Sequence, residues 1–478
     1  MTDTARGAPQ PVAIQRVAEH DHGTGCVDNA ACPVPQAVAT LLQELDGLLR
    51  RLARPGGRTV IKPNFVADRD REYRLSDAEL AATCTDPVIL ATVIRCAWEA
   101  MARRGEILVV DSPIEGADIA GTLKRLRVDT LLARLRSEGV QVGFRDLRDF
   151  TMVRHLWIDD VRILNRSWNI GWLEKRAIPG DVEGYCEIDL RNASYFEQSF
   201  TGMDRLRFHQ SDAGPMTAWH ASGRHIYSVA RSVLQADCFI NLPKLKTHKK
   251  SGVTLALKNL IGISNRKHWI PHFRWGHPPT GDEFDRPLSW STRLAIRLKR
   301  FPLLDGHSGV INVVRLAARP RIVEGGSWSG NDVVWRAARD LNTILLYADA
   351  HGQLQPRRAR GYVAIVDGII GGEAEGPVRP RPRFANVLIG GEEPLSVDVV
   401  ACRLMDIPPG LVAMVDAPGL EAYSLGETDW DAIPIRPDSE RETRVRFQMP
   451  NEWETRRGAL PQLRAPRAAP RAAGAGSY

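Results

Sequence analysis

An α/β fold with a mostly parallel sheet and crossover helices, Rossmann-like in plan, is predicted by three features of this sequence. Short unbroken apolar runs recur at RTVIKPN, EILVVD, DCFINL, YVAIVD and ANVLIGG, and runs of this length read as strands buried on both faces. Helical periodicity alternates with them, as parallel strands require for their crossovers. Four of the runs end on polar residues, and in an open parallel sheet ligands bind beyond the carboxyl ends of the strands.

The elements follow in order. Residues 1–35 form an irregular segment with prolines, glycines and an acidic-histidine patch, within which PVAIQRV reads as a first strand. A domain spans 36–450. Ala37 to Leu52 repeats apolar residues at three and four, an amphipathic helix. RTVIKPN is a strand stopped by Pro63, Asp86-Pro87 opens a helix that Gly105 ends, and EILVVDSP is a strand closing on Asp111 and Ser112. Helix is expected from Gly121 to Glu138, then strand at VQVGF. An irregular or antiparallel insertion fills 151–220, where periodicity fades. After the ADCFINLP strand, GVTLALKNLIG reads as a helix beginning near Gly252. A second insertion, 267–330, is rich in Trp, His, Pro and Arg, with helices near Trp290–Lys299 and Gly309–Ala317. Asp332 to Tyr347 is a strong amphipathic helix, YVAIVDG and ANVLIGG are strands, and Leu395 to Met405 is a helix. Residues 451–478 alternate Pro, Arg, Ala and Gly and read as a disordered tail.

Composition narrows the function classes. The 478 residues are 43% hydrophobic and 25% charged, ordinary values for a globular chain. No apolar run approaches the roughly 20 residues that span a bilayer, and the first residues lack a charged start followed by an apolar stretch. A cytoplasmic protein without a membrane partner is the expectation. The seven cysteines include no C-x-x-C pair, so reduced thiols are expected, with Cys26 and Cys32 the one pair close enough for metal or redox work. The net charge of +7 permits nucleic-acid binding, but the basic residues are spread out, and a small anionic ligand explains the balance equally well. Oligomeric state is not legible.

The use of lysine says more. The chain has 54 arginines and only ten lysines, of which six lie between Lys244 and Lys267. A chain that defaults to arginine and concentrates lysine in one place points to lysine chemistry, a compact ammonium that can lose its proton.

The strand ends supply a candidate site: Lys62 and Asn64, Asp111 and Ser112, Asn241 with Lys244, and Asp367 with Gly368 gather on one rim if the sheet is parallel. Lys244, Lys246 and His248 alternate, so an extended segment aims all three one way, suited to clamping a phosphate or carboxylate. Free N–H groups of a helix starting near Gly252 add to anion binding. Thr254 and Lys258 are one turn apart, and Lys258 lies between Leu257 and Leu260, where burial or other cations lower its pKa towards a base or nucleophile. His248 is the second candidate for proton transfer. DGIIGGEAEGP reads as a glycine-rich turn whose Asp367, Glu373 and Glu375 suit backbone approach to a ligand or a divalent cation. It matches neither G-x-x-x-x-G-K-[ST] nor G-x-G-x-x-G. In HWIPHFRWGH, His268, His272 and His277 lack a carboxylate partner motif, and Pro271 breaks helical spacing, so stacking or lid packing is favoured over metal binding.

These residues resemble the family described as domain of unknown function 362. The resemblance rests on IKPNFV (Ile61 to Val66), TDP (Thr85 to Pro87), VVDSP (Val109 to Pro113), ADCFINLPKLKTHKKSGVTLALKNLIG, VDGIIGGEAEGP and PLSVDVVA (Pro394 to Ala401), in family order over roughly 58 to 426. It implies an α/β fold and a site drawn from Lys62, Asn64, Asp111, Asn241, Lys244, Lys246, His248, Lys258, Asn259, Asp367 and Asp398, the residues Asn259 and Asp398 entering on this ground alone. It implies no established reaction. Many relatives carry ferredoxin-type cysteine clusters; this chain has none, and no iron–sulfur cluster is expected.

Three functions compete. One is an enzyme on a phosphorylated or carboxylated small metabolite, with Lys258 or His248 moving a proton and the other lysines holding the anion. A second is a non-catalytic binder of an anionic glycan or nucleic acid, and a third is a metal-dependent or redox protein using Asp111, Asp367, Glu373 or the histidines.

Overall fold

Val60, Phe239 and Val366 pack into one apolar core and their neighbours Ile61, Ile240 and Ile365 into another, so the strands that carry them are covered on both faces. That is why their apolar runs show no alternation. A computed structural model describes residues 8–18, 31–67, 74–163, 166–208, 216–290, 325–437 and 444–458. The central strands are β1 Val12–Arg16, β2 Arg58–Pro63, β3 Glu106–Asp111, β4 Val142–Asp146, β5 Cys238–Leu242, β6 Lys244–His248, β7 Gly361–Glu373, β8 Arg381–Gly391 and β9 Ile435–Arg436. They run in the order β9-β1-β8-β7-β5-β2-β3-β4, with β6 pairing alongside β7 off this path.

The sheet is parallel from β7 through β5, β2 and β3 to β4, as predicted. The ANVLIGG strand departs from that pattern: β8 runs antiparallel to β7, and β1 antiparallel to β8. The link between β7 and β8 is too short to hold a crossover helix, so the chain must turn back.

One face is covered by the helices Val34–Glu44, Pro87–Ala100 and Val128–Ser137, whose apolar sides fill one core. Asp86 caps Pro87–Ala100 by accepting from Val88 N–H (2.7 Å) and Ile89 N–H (3.4 Å). The other face carries Leu255–Asn259, Val334–Tyr347 and Pro394–Leu404. Two expected helices are each split in two. Ala37 to Leu52 breaks at Asp46 and Gly47, and Gly121 to Glu138 at Arg127, all three with left-handed backbone that no helix continues through.

The 151–220 insertion is antiparallel where described, built on a long hairpin of Phe150–Ile163 against Arg166–Ala177 and a small sheet of Tyr185–Asp189, His220–Ala221 and Arg224–Ala230. DGIIGGE is no turn. β7 runs through it to Glu373, and a Cβ at Gly371 would lie 2.6 Å from the Phe447 ring, so that glycine admits a close approach. The helix expected from Gly252 starts at Leu255, because β6 first folds back antiparallel onto Gly252 and Val253.

The two helices predicted near 290–299 and 309–317 lie, beyond Trp290, outside the described residues, as does the tail from 459 onward. The tail reading begins too early, since Asn451–Gly458 is a helix whose Trp453 is buried and donates Nε1–H to the Lys249 carbonyl at 2.7 Å. Reduced thiols hold for Cys84, Cys96, Cys186, Cys238 and Cys402, while Cys32 is disulfide-bonded. Among the described residues no single helix is long and apolar enough to cross a membrane. Trp453→Ala should cost about 3–5 kcal/mol of stability, the usual loss for emptying a buried aromatic site, measurable as a lower midpoint in urea unfolding.

Candidate functional site

Register places the polar residues of four strands beside one another in pairs. Lys62 on β2 pairs in the ladder with Asn241 on β5, and Lys244 on β6 with Asp367 on β7. Asp367 is not at a strand end, as expected, but in mid-strand, because β7 continues past it.

A continuous hydrogen-bonded chain runs through this region. Lys246 Nζ donates to Asn64 Oδ1 (3.0 Å), Asn64 Nδ2 to Asn259 Oδ1 (2.8 Å), and Asn259 Nδ2 to Asn241 Oδ1 (2.7 Å). Asn241 Nδ2 then reaches the Ala256 carbonyl and the Tyr362 hydroxyl, both at 2.9 Å. All four residues are at least 96% buried, so each amide must find a protein partner, and each does. Their side chains are thereby committed to structure, joining β2, β5, β6, β7 and the helix Leu255–Asn259.

Two buried ion pairs flank the chain. Lys62 Nζ meets Asp111 Oδ1 and Lys244 Nζ meets Asp367 Oδ2, each at 2.7 Å, and all four side chains are almost wholly buried. Asp111 also accepts from Phe65 and Ser112 N–H, and Asp367 from Asp86 and Ile369 N–H. The backbone of Gly262 lies against the first pair: a Cβ there would sit 2.3 Å from Lys62 Cε and 2.6 Å from Asp111 Oδ1. These two lysines therefore do not present free charge on an anion-binding rim; each is neutralised in place.

The helix bearing Lys258 is fixed from several directions. Asp398 accepts from Ala256 N–H (2.7 Å) and Leu257 N–H (2.9 Å), and Asn342 Nδ2 donates to the Leu257 carbonyl at 2.8 Å. Asp398 thus sits at the helix start and not beside the lysines. It also occupies the N–H groups expected to bind an anion, so that part of the expectation fails. Asn342 comes from Val334–Tyr347, the amphipathic helix expected there, which the fold buries on its polar side as well. The sequence held no signal that this helix would meet Lys258.

What remains is a cluster of cations with few counter-charges. Burial lowers the pKa of Lys246, Lys258 and Lys267 to about 7 each. For Lys258 the second cause is Lys250, and no carboxylate acts on it. Lys267 Nζ donates to the Ile261 carbonyl at 2.6 Å. Lys258 is partly exposed, and its Nζ has no hydrogen bond or ion pair among the described residues. His248 and His272 belong to the same cluster. Burial first, then Lys258 and Lys250 for His248 and Lys250 and Lys258 for His272, hold both well below the ordinary imidazole range. Both rings are therefore neutral, and their bonds assign the tautomers. His248 Nδ1 accepts from Lys250 N–H (3.0 Å), so its proton is on Nε2, while His272 Nδ1 donates to the Ile270 carbonyl (2.8 Å), leaving a bare Nε2 lone pair. His248 accordingly offers a donor, not the base expected of it. Its complement is His272, which sequence reasoning weighed only as a metal ligand. The Ser112 and Thr254 hydroxyls are buried without a partner among the described residues.

The segment carrying Lys267 and His272 is tied to the antiparallel lobe. Burial lowers the His220 pKa to about 3, so this ring is neutral and donates Nε2–H to the Trp269 carbonyl at 2.7 Å. Its Nδ1 faces His225 Nδ1 at 3.3 Å, and His225 Nε2 bonds Glu197 Oε1 at 2.8 Å.

The carboxylates proposed for a metal are spoken for separately: Asp111 by Lys62, Asp367 by Lys244, Glu373 by Arg381 at 2.8 Å and Glu375 by Lys249 at 2.7 Å. Among the described residues no three His, Cys, Asp or Glu side chains converge as metal ligands.

Asp111→Asn strands a buried ammonium and should cost about 3–5 kcal/mol at neutral pH. Burial already depresses the Lys62 pKa. Without Asp111 the folded chain holds fewer protons than the unfolded one up to the ordinary lysine range, so the deficit should shrink as pH rises. Urea unfolding from pH 6 to 10 tests both; a pH-independent deficit would show that Lys62 carries no charge there.

Comparison with curated proteins and with solved structures returns no match for this chain. A family model does match, over residues 196–403, which include β5, β6, the Lys258 helix, β7 and Asp398. The IKPNFV, TDP and VVDSP blocks precede that span, yet they supply Lys62, Asn64, Thr85, Asp86 and Asp111, which bond directly to residues within it or to one another. Residues 196–403 match the model of the family described as Domain of unknown function (DUF362).

Proposed function

We propose that the protein is an enzyme acting on a small anionic metabolite, phosphorylated or carboxylated, and that Lys258 is its base. The observation that carries this reading is the unpartnered Lys258 amine, set among Lys246, Lys250, Lys267, His248 and His272 with no carboxylate acting on it. A buried cation without counter-charge is unfavourable, and a chain that accumulates several has a deficit of negative charge that a ligand can fill. Lys62 and Lys244 do not share in this, being paired already.

The chemistry follows from protonation states. A lysine whose pKa is about 7 is part amine at neutral pH, and can take a proton from a substrate carbon or heteroatom. His248 Nε2–H can hold a developing oxyanion, and the His272 Nε2 lone pair can pass a proton on. Lys246 and Lys267 then serve as ammonium groups that a bound anion keeps protonated. Five free thiols support a cytoplasmic setting, and the Cys32 disulfide counts against it.

The sign of the pH dependence is set by the lowered lysines. A bound anion favours their protonated forms, so the complex holds more protons than the free protein above about pH 7. Affinity for inorganic phosphate, measured by calorimetric titration, should therefore weaken as pH rises through 7. Lys258→Met should weaken it a further roughly ten- to hundredfold, the loss of one charge-assisted hydrogen bond, while leaving urea unfolding intact. Binding that ignores both pH and Lys258 would remove the cluster from ligand recognition and favour a general basic surface, whose affinity instead falls steeply with salt.

A further inference from the structure

We propose that Lys258 is a nucleophile that forms an imine with an anionic carbonyl compound, an aldehyde or ketone bearing a carboxylate or phosphate. This rests on the anion-site reading above, specifies the substrate class and makes the Lys258 amine the attacking group in place of a base.

Three observations converge on it. An ammonium needs acceptors for three N–H donors, and Lys258 Nζ has none among the described residues, whereas the three acceptors around Lys246 lie within 3.4 Å of its Nζ. No protein group among the described residues holds Lys258 as an ammonium. Next, Lys258 is partly exposed while Lys246 and Lys267 are buried, so of the three lowered lysines it alone faces an incoming molecule. Finally, the two imidazoles have opposite tautomers fixed by backbone bonds, one presenting a donor and the other a lone pair, which is what carbonyl addition and dehydration require. The surrounding cations keep the amine unprotonated and hold the carbonyl compound's anionic group.

The step balances without a further reagent. The Nζ lone pair forms a bond to the carbonyl carbon, and the carbonyl π pair moves to oxygen, which His248 Nε2–H stabilises. His272 Nε2 takes one amine proton and returns it to that oxygen. In the second half the C–O bond breaks, the remaining amine proton leaves with the oxygen, and one water is released as C=N forms. Amine plus carbonyl gives imine plus water, with no oxidant or reductant consumed.

The full-length chain at pH 7 is treated with sodium borohydride in the presence of glyoxylate, glycolaldehyde phosphate or neutral acetaldehyde, and the reduced adducts are mapped by peptide mass. At pKa about 7 the neutral fraction of Lys258 exceeds that of a surface lysine on the order of a thousandfold. Lys258 should accordingly be alkylated by the anionic aldehydes well ahead of exposed Lys124, and inorganic phosphate should protect it. The relative yields with glyoxylate and glycolaldehyde phosphate distinguish a carboxylate from a phosphate as the anchoring group. Labelling that follows exposure, with Lys258 no more reactive than Lys124, overturns the proposal. Phosphate binding that depends on Lys258 but no adduct there overturns the imine and leaves the anion site standing. Equal labelling of Lys258 by acetaldehyde and glyoxylate supports the nucleophile and overturns the anion site. Because the mapping is done on the unmodified sequence, no variant needs to fold.

Discussion

Four lysines are buried in this protein and a fifth, Lys258, is partly so, and their fates differ according to what opposes them. Lys62 and Lys244 each find a carboxylate at 2.7 Å, Lys246 finds three neutral oxygens, Lys267 finds one carbonyl, and Lys258 finds no partner among the described residues. Removing an ammonium from water costs several kcal/mol unless it is paired, so the first two pairs are what allow polar residues to occupy the middle of the fold at all. Asp111 and Asp367 in turn collect backbone N–H groups from the loops after β2 and before Pro87–Ala100, which ties those loops to the strands.

The asparagine chain works by a related constraint. Asn64, Asn259 and Asn241 are almost wholly buried, and each amide satisfies the next. A break at any point strands a buried donor or acceptor, costing about 1–3 kcal/mol. Such an array holds the Leu255–Asn259 helix in one position relative to β2 and β5, and Asp398 and Asn342 hold it from the opposite face. The helix is only five residues long, too short to be stable alone. Its rigidity is borrowed from these side chains, and with it the position of Lys258.

The cation cluster thus contains three lysines, Lys246, Lys258 and Lys267, without an ion pair among the described residues. Its members come from β6, the turn after it, the Lys258 helix and the segment through His272, and the last of these is fastened through Trp269 to the His220–His225–Glu197 chain of the antiparallel lobe. The antiparallel lobe therefore contributes to the cluster by positioning Lys267 and His272.

Much of this was legible in the chain. Unbroken apolar runs marked the strands, because burial on both faces removes any need for alternation, and the crowding of lysine between 244 and 267 marked the site. The resemblance blocks brought in Asn259 and Asp398. Tertiary structure decided the rest. Periodicity does not encode direction, so it could not tell that β8 runs antiparallel, nor that β7 passes straight through a glycine-rich stretch whose glycines serve packing. Above all, a lysine reads the same whether it meets an aspartate or nothing. Which of the lysines are neutralised and which remain unpartnered depends on residues far away in the sequence, such as Asp111 opposite Lys62 and Asp367 opposite Lys244, and only the folded chain brings them together.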